Sequence, residues 1–498
     1  MPNSQREPIA TPESVAADVL SGHDVSQRVV RGGAIRFVGF GVVNLLGVAS
    51  SLILLRHLGV VDYGRYGTVL ALIAIASGLA DAGMTVVGSR ELALRPPGAE
   101  RDRLIALMLS LRVVLCVAFV VGAFGVGLAA GYDNEMLAGI GFVGLGATLL
   151  AVQVTISLPL SVELRNARVT AIEIGKQLIL VAGVALCALI GAGLVPFFAV
   201  QVAIGVGSLA IVWVLVGRHA FVLPRWRTDE IKTFARKVLP VAGALVLTVA
   251  YVRLLVILCS LLTSDYETGL FVTSARIVEM LGGVALLISG VVLPVASVAA
   301  RDDRGRLEYV LARTTEVSLI LGVLIALVFA LAAEPVVVLL GGSEFEDAAP
   351  VLRLQAPAVV TIFVVNAWAG FLIADDHRRE LLRCVLIGLG VLIAAGLVLI
   401  PIDDAQGAAI AAVVADVAYA GSLFLAIRGL PGRPTPLNRG FLLRLAGASG
   451  AAIVVGLALP GSDAVVAAVA AVVFAGACVA LRMVPVDVWS AIPRPGRT

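Results

Sequence analysis

Residues 51–72 read SLILLRHLGVVDYGRYGTVLAL. An apolar run that starts near residue 34 ends at Leu55, a short turn rich in Gly, Asp, Tyr and Arg follows, and a second apolar run begins at Tyr66 and lasts to about residue 88. Each run matches the roughly 20 apolar residues that span a hydrocarbon core. The turn is too short to hold a soluble domain, so the stretch is a transmembrane hairpin.

The pattern continues outward. Apolar segments fall at 34–55, 66–88, 105–131, 137–162, 172–193, 196–216, 238–262, 269–298, 314–333, 350–374, 381–401, 406–427, 441–460 and 463–481. Composition agrees: 60% of the 498 residues are hydrophobic and 14% charged, with a mean hydropathy of +1.03. A soluble domain carries about a quarter charged residues. The fold class expected is an all-α polytopic membrane protein of about fourteen transmembrane helices.

Charge placement fixes the parity of that count, because positive residues are retained on the cytoplasmic side. The even-numbered connections carry Arg90, Arg95, Arg101 and Arg103; Arg165, Arg168 and Lys176; Arg218, Arg225, Arg227, Lys232, Arg236 and Lys237; Arg301, Arg304, Arg306 and Arg313; Arg378, Arg379 and Arg383; and Arg428, Arg433, Arg439 and Arg444. Among odd connections only the first has any, Arg56 and Arg65; the others offer acids such as Asp133, Asp265, Glu344, Asp347, Asp403 and Asp404. Both termini are therefore expected in the cytoplasm. Arg greatly outnumbers Lys, which hints at a GC-rich bacterial genome; the bacterial inner membrane is the expected location.

No connection is long enough for a catalytic domain outside the bilayer. The five cysteines lie singly in apolar runs without metal-ligand spacing, so neither a disulfide framework nor a zinc site is indicated. No cofactor, metal or nucleic-acid partner is expected. The first 33 residues lack the apolar core of a signal peptide and read as a polar, disordered cytoplasmic tail.

Transporter folds commonly duplicate a half with the substrate path between the copies. The turn Leu58 to Tyr66 has a counterpart in Leu262 to Phe271: each holds Asp-Tyr, then Gly, then an aromatic residue two positions after that Gly. This divides the chain into a tail 1–33, an N-terminal lobe 34–216, a basic connection 217–237, a C-terminal lobe 238–428, a helix pair within 429–482 and a tail 483–498. The basic connection either lies along the anionic inner leaflet or enforces topology.

At these residues the chain resembles the Wzx-like polysaccharide-biosynthesis flippases of the multidrug/oligosaccharidyl-lipid/polysaccharide exporter superfamily. The resemblance rests on Gly32 through Gly67, on Gly269-Leu270-Phe271 through Arg276 to Pro294, and on Glu334-Pro335 through Gly341-Gly342 to Phe345. It implies a V-shaped pair of six-helix lobes that moves a polyprenyl-pyrophosphate-linked glycan across the membrane by alternating access. Membrane lipids and polysaccharide-assembly proteins are the partners it implies.

Arginine near a helix centre costs about 2.5–3.5 kcal/mol on insertion scales, so intramembrane charge is the strongest functional signal. The candidates are Arg36, Asp81, Arg112, Arg253, Arg276, Glu279, Arg353 and Asp416. Arg253, Arg276, Arg36 and Arg112 are the substrate-binding set, since a guanidinium stays charged and its fork matches phosphate oxygens. Bland readings stand beside this one. Arg36 snorkels to the interface; Arg276 and Glu279, spaced i, i+3, neutralise each other; Arg56 caps its own helix. Arg253 has no acid within a helical turn and is the clearest candidate. Asp81, Glu279 and Asp416 are candidates for coupling by proton or cation uptake, with a hydrogen bond to a nearby Ser or Thr the alternative for Asp81.

A drug/cation antiporter of the same superfamily is the closest rival, although it is expected to have twelve helices and an acid-rich cavity. A membrane glycosyltransferase or polymerase needs a sizeable extracytoplasmic loop that is missing here, and a scaffold does not need buried arginines.

Overall fold

The computed structural model describes residues 23–96, 98–217, 228–302, 304–430 and 435–483. All regular structure among them is helical. The helices are α1 (His23–Asp81), α2 (Met84–Ala93), α3 (Ala99–Ala129), α4 (Asn134–Val162), α5 (Asn166–Leu189), α6 (Leu194–Val216), α7 (Thr228–Leu262) and α8 (Asp265–Asp302). They continue as α9 (Arg304–Leu331), α10 (Ala333–Gly341), α11 (Ala348–Ala374), α12 (Arg378–Arg428), α13 (Arg439–Ala458) and α14 (Asp463–Ala480).

Two of these helices are too long to be single crossings. A straight helix of α1's 59 residues would run about 88 Å through a hydrocarbon core of about 30 Å. It breaks at Gly59, with φ 70° and ψ 179°, a conformation that only glycine adopts without strain. α12, with 51 residues, breaks at Asp403 and Asp404. Among the described residues, eleven helices are long and apolar enough to cross a membrane; with α1 and α12 crossing twice and the apolar part of α7 once, their crossings number fourteen.

Contacts between the turns confirm the alternation. At one end, the acidic end, Arg65 reaches Asp133 and Asp265, the His57 Nε2–H donates to the Ala192 carbonyl, Arg56 donates to the Leu339 carbonyl, Tyr266 to Asp347, and the Ala405 N–H to Glu267. Those partners come from connections one, three, five, seven, nine and eleven. At the arginine-rich end, Arg101 meets Glu163, Arg168 the Leu215 carbonyl, Arg304 Asp375, and Arg444 the Leu481 carbonyl.

Helices α1 to α6 pack among themselves, as do α7 to α12. Between the two groups, α1 carries the main contacts, against α7 and α8. α13 and α14 lie on α9 through Phe441, Leu445, Phe474 and Leu327.

Two expected boundaries move. Helix α1 begins at His23, because His23 to Arg31 contains neither Pro nor Gly; residues 1–22 of the expected tail lie outside the described residues, as do 484–498 of the terminal one. In the basic connection, 218–227 lies outside them too, and α7 already runs from Thr228. Its overhang packs Phe234 and Val238 against Met84, Leu92 and Leu104 of the first group, which gives those apolar side chains cover beyond the bilayer span.

Candidate functional site

The interface between the two six-helix groups is built on the repeated turns. A Cβ placed on Gly64 would come within 2.6 Å of the Asp265 carbonyl oxygen, and one on Gly269 would overlap the Val60 carbonyl. Gly64 and Val60 correspond to Gly269 and Asp265 when the two turns are aligned on their glycines, so the crossing is reciprocal. Close backbone approach of this kind is what small residues permit between helices. Around it, Arg65 bonds Asp265 at 2.8 Å and lies 3.3 Å from Asp133, Tyr132 and Ser260 share a hydrogen bond of 2.9 Å, and Tyr63 meets the Phe345 ring edge-on. These contacts join elements of both groups at the acidic end. Arg56 does cap a helix terminus, but that of α10 across the interface, through the Leu339 carbonyl at 2.8 Å, rather than its own.

The charged cluster lies deeper along the same seam. From α7, Arg253 donates to Glu279 Oε1 at 2.8 Å; one turn before Glu279 on α8, Arg276 lies 3.7 Å from Glu279 Oε2. Arg276 also reaches Ser51 Oγ of α1 at 3.4 Å through Nε and Nη2. Side-chain exposures of 33% for Arg253, 41% for Arg276 and 26% for Glu279 leave all three accessible. Two guanidiniums against one carboxylate leave one positive charge uncompensated, held between both groups of helices.

Arg253 has no acid within a turn of its own helix, but Glu279 from the next helix pairs with it, invisible to a search along Arg253's own. The i, i+3 pair Arg276–Glu279 exists, but the carboxylate is shared.

Arg112 is elsewhere. Its side chain is 2% exposed and bound by Asp81, by Thr85 at 2.7 Å, by Thr155 at 2.9 Å and by the Ala151 carbonyl at 3.3 Å. Asp81 accepts a second bond from Thr85 at 2.5 Å. Arg112 is thus a buried tie among α1, α2, α3 and α4: its charge is met by Asp81 and its two Nη groups also by hydroxyls and a carbonyl, while its Nε has no partner among the described residues. The side chain of Arg36 lies outside the described residues. Arg353 is exposed near the acidic-end start of α11. Asp416 of α12 accepts from Tyr251 of α7 at 2.5 Å, inside the second group of helices. Ser51, Thr85, Thr155 and Tyr251 were not among the sequence candidates; only the i, i+4 spacing of Asp81 and Thr85 could have pointed to one of them.

Similar proteins can now be set beside this geometry. The profile of the family described as "Polysaccharide biosynthesis protein" matches residues 53–350. No curated protein matches the sequence. Among solved structures, a lipid II flippase MurJ in an inward closed conformation superposes with a TM-score of 0.73 at 11% identity, over 91% of this chain and 99% of that one. An inward-facing multidrug resistance MATE transporter of the MOP superfamily follows at TM-score 0.58 and 15% identity, over 79% and 97%. A eukaryotic MATE transporter, AtDTX14, gives 0.54 at 12%, over 82% and 97%. At these identities the likeness is one of fold: the V-shaped pair of six-helix lobes, with α13 and α14 added. The matched profile spans more than half of the chain, from the first crossing to the start of α11, and the protein belongs to the polysaccharide biosynthesis protein family.

Proposed function

We propose that this protein flips a lipid-linked oligosaccharide or polysaccharide precursor across the bacterial inner membrane by alternating access. One observation carries the reading: the Arg253–Glu279–Arg276 cluster presents a net positive charge on the seam between lobes, in contact with α1 through Ser51. A polyprenyl-pyrophosphate head group is anionic and hydrated, and paired guanidiniums suit its phosphate oxygens. Membership of a polysaccharide biosynthesis family and the flippase fold support the same substrate class.

In this reading the arginine-rich end faces the cytoplasm. The acidic end is then the extracytoplasmic gate, closed by the Gly64–Gly269 crossing and the Arg65 ion pairs. Precursor enters from the cytoplasmic side, its phosphates reach the cluster, and the lobes rock about the seam to expose it outside.

A drug/cation antiporter of the same fold is separated by substrate charge. Vesicles holding the purified protein are offered a fluorescent undecaprenyl-diphosphate-linked oligosaccharide or a lipophilic cationic dye. Translocation of the anionic lipid alone is the expected result; translocation of the dye alone overturns the reading.

A further inference from the structure

Of the charged candidates in the apolar runs, three are carboxylates, and they differ in what holds them. Asp81 is locked to Arg112 inside the first lobe, and Asp416 is engaged by Tyr251 inside the second. Glu279 stands on the seam, accepting from an N–H donor of Arg253 at 2.8 Å and facing those of Arg276 at an ion-pair distance of 3.7 Å. Those donors are the ones an anionic head group would need. From this geometry we propose that Glu279 is a built-in competitor for the substrate's phosphates: it holds Arg253 and Arg276 while the site is empty, and is displaced and takes up a proton when the anion binds. This rests on the proposed function and adds the means of release.

The argument is one of charge and geometry. An empty site with two bare guanidiniums would be costly within the bilayer span and would bind a diphosphate too firmly to let it go. Glu279 satisfies both cations at once, so the empty site is stable. When the diphosphate arrives, the anions outnumber the cations, and a carboxylate beside like charge favours its neutral form. The groups facing it are Arg253 of α7, Arg276 of its own helix and Tyr63 of α1, with Ser51 and Tyr66 of α1 beside Arg276; on α11, the neutral Gln355 is bound to Ser274, five residues before Glu279. Among these, Glu279 is the group suited to receive the proton. Deprotonation of Glu279 after the lobes open restores its hold on the arginines and expels the phosphates. One proton is taken up per substrate bound and given back on release.

The test uses the full-length protein in nanodiscs, with farnesyl diphosphate as a soluble prenyl diphosphate. Titration calorimetry in buffers of different ionisation enthalpy counts protons bound per ligand. The ligand's own titration is common to both proteins, so wild type minus Glu279→Gln isolates the residue. The expected results are a difference of about one proton, a wild-type affinity that rises by up to about tenfold more per unit fall in pH than that of Glu279→Gln, and binding by Glu279→Gln about tenfold tighter at neutral pH with slower flipping. Equal proton counts, or weaker binding by Glu279→Gln, overturn the competitor role. The wild-type count stands alone if the variant does not fold: no proton taken up beyond the ligand's own, measured in buffer, overturns the proposal. Wild-type protein that binds no prenyl diphosphate and flips no lipid-linked glycan counts instead against the function it rests on.

Discussion

Gly64 and Gly269 occupy matching positions in the two copies of a repeated turn, and each lies where any side chain would strike the backbone of the other's helix. The halves of the chain therefore meet through their own repeat. In the proposed cycle that contact is part of the gate at the acidic end.

A larger residue there should hold the gate ajar. Gly269→Leu is expected to cost the closed state about 1–3 kcal/mol through overpacking. The measurement is labelling of a cysteine placed at Ser260 by a membrane-impermeant maleimide from the outer side: faster labelling and slower transport are expected. Unchanged labelling removes the glycine crossing from the gate.

The Arg65 ion pairs should matter more to gating than to stability. Arg65 is 27% exposed and Asp265 39%, and exposed pairs of this kind contribute only about 0.2–1 kcal/mol each. Arg65→Ala should leave thermal unfolding nearly unchanged while raising outer-side labelling, and the swap Arg65→Asp with Asp265→Arg should restore part of the seal. Asp133 and Asp62 stay behind in the swap, so restoration will be incomplete.

Arg112 is expected to behave as a structural residue. Removing one partner of a buried ion pair costs about 3–5 kcal/mol, so Arg112→Ala should sharply lower yield and melting temperature in detergent. Pairing Arg112→Met with Asp81→Asn should recover folding. An Arg112→Ala protein that melts like wild type but fails to bind prenyl diphosphate would move this residue to the substrate path.

At the acidic end, the hydrogen bond to the Asp347 carboxylate, with a smaller share from burial, pushes the Tyr266 phenol up to about 12. The phenol thus keeps its proton in the folded protein above the pH at which it loses it unfolded. Its contribution to stability is complete below about pH 10 and is lost as pH rises through 12. A difference absorbance titration between wild type and Tyr266→Phe should show one phenol ionising near the top of that range; a component near 10 contradicts the bond.

The fourteen crossings were legible because two independent signals, apolar length and alternating charge, agree at every connection but the first, which carries Arg56 and Arg65. Legible too was the repeat, through Asp62-Tyr63-Gly64 and Asp265-Tyr266 with Gly269. The site was legible only in its membership. Arg253, Arg276 and Glu279 are visible as charges in apolar runs, but their pairing crosses from α7 to α8, and no spacing along one helix encodes it. For Arg112 the signal was ambiguous, since a buried charge announces a partner without saying whether that partner is a substrate or, as the structure has it, an aspartate 31 positions earlier. Hydroxyl partners such as Ser51 and Tyr251 carry no charge and leave no trace in hydropathy.

The central claim is that the charge at Arg253 carries an anionic lipid head group between the lobes. Vesicles are loaded with fluorescent undecaprenyl-diphosphate-linked oligosaccharide, and the fraction reaching the outer face is followed for wild type and for Arg253→Gln, each checked for equal incorporation and melting temperature. Translocation by wild type, slowed about ten- to hundredfold in Arg253→Gln by loss of a charge-assisted hydrogen bond, is the result predicted. Equal rates for the two proteins, or no translocation by wild type, would contradict it.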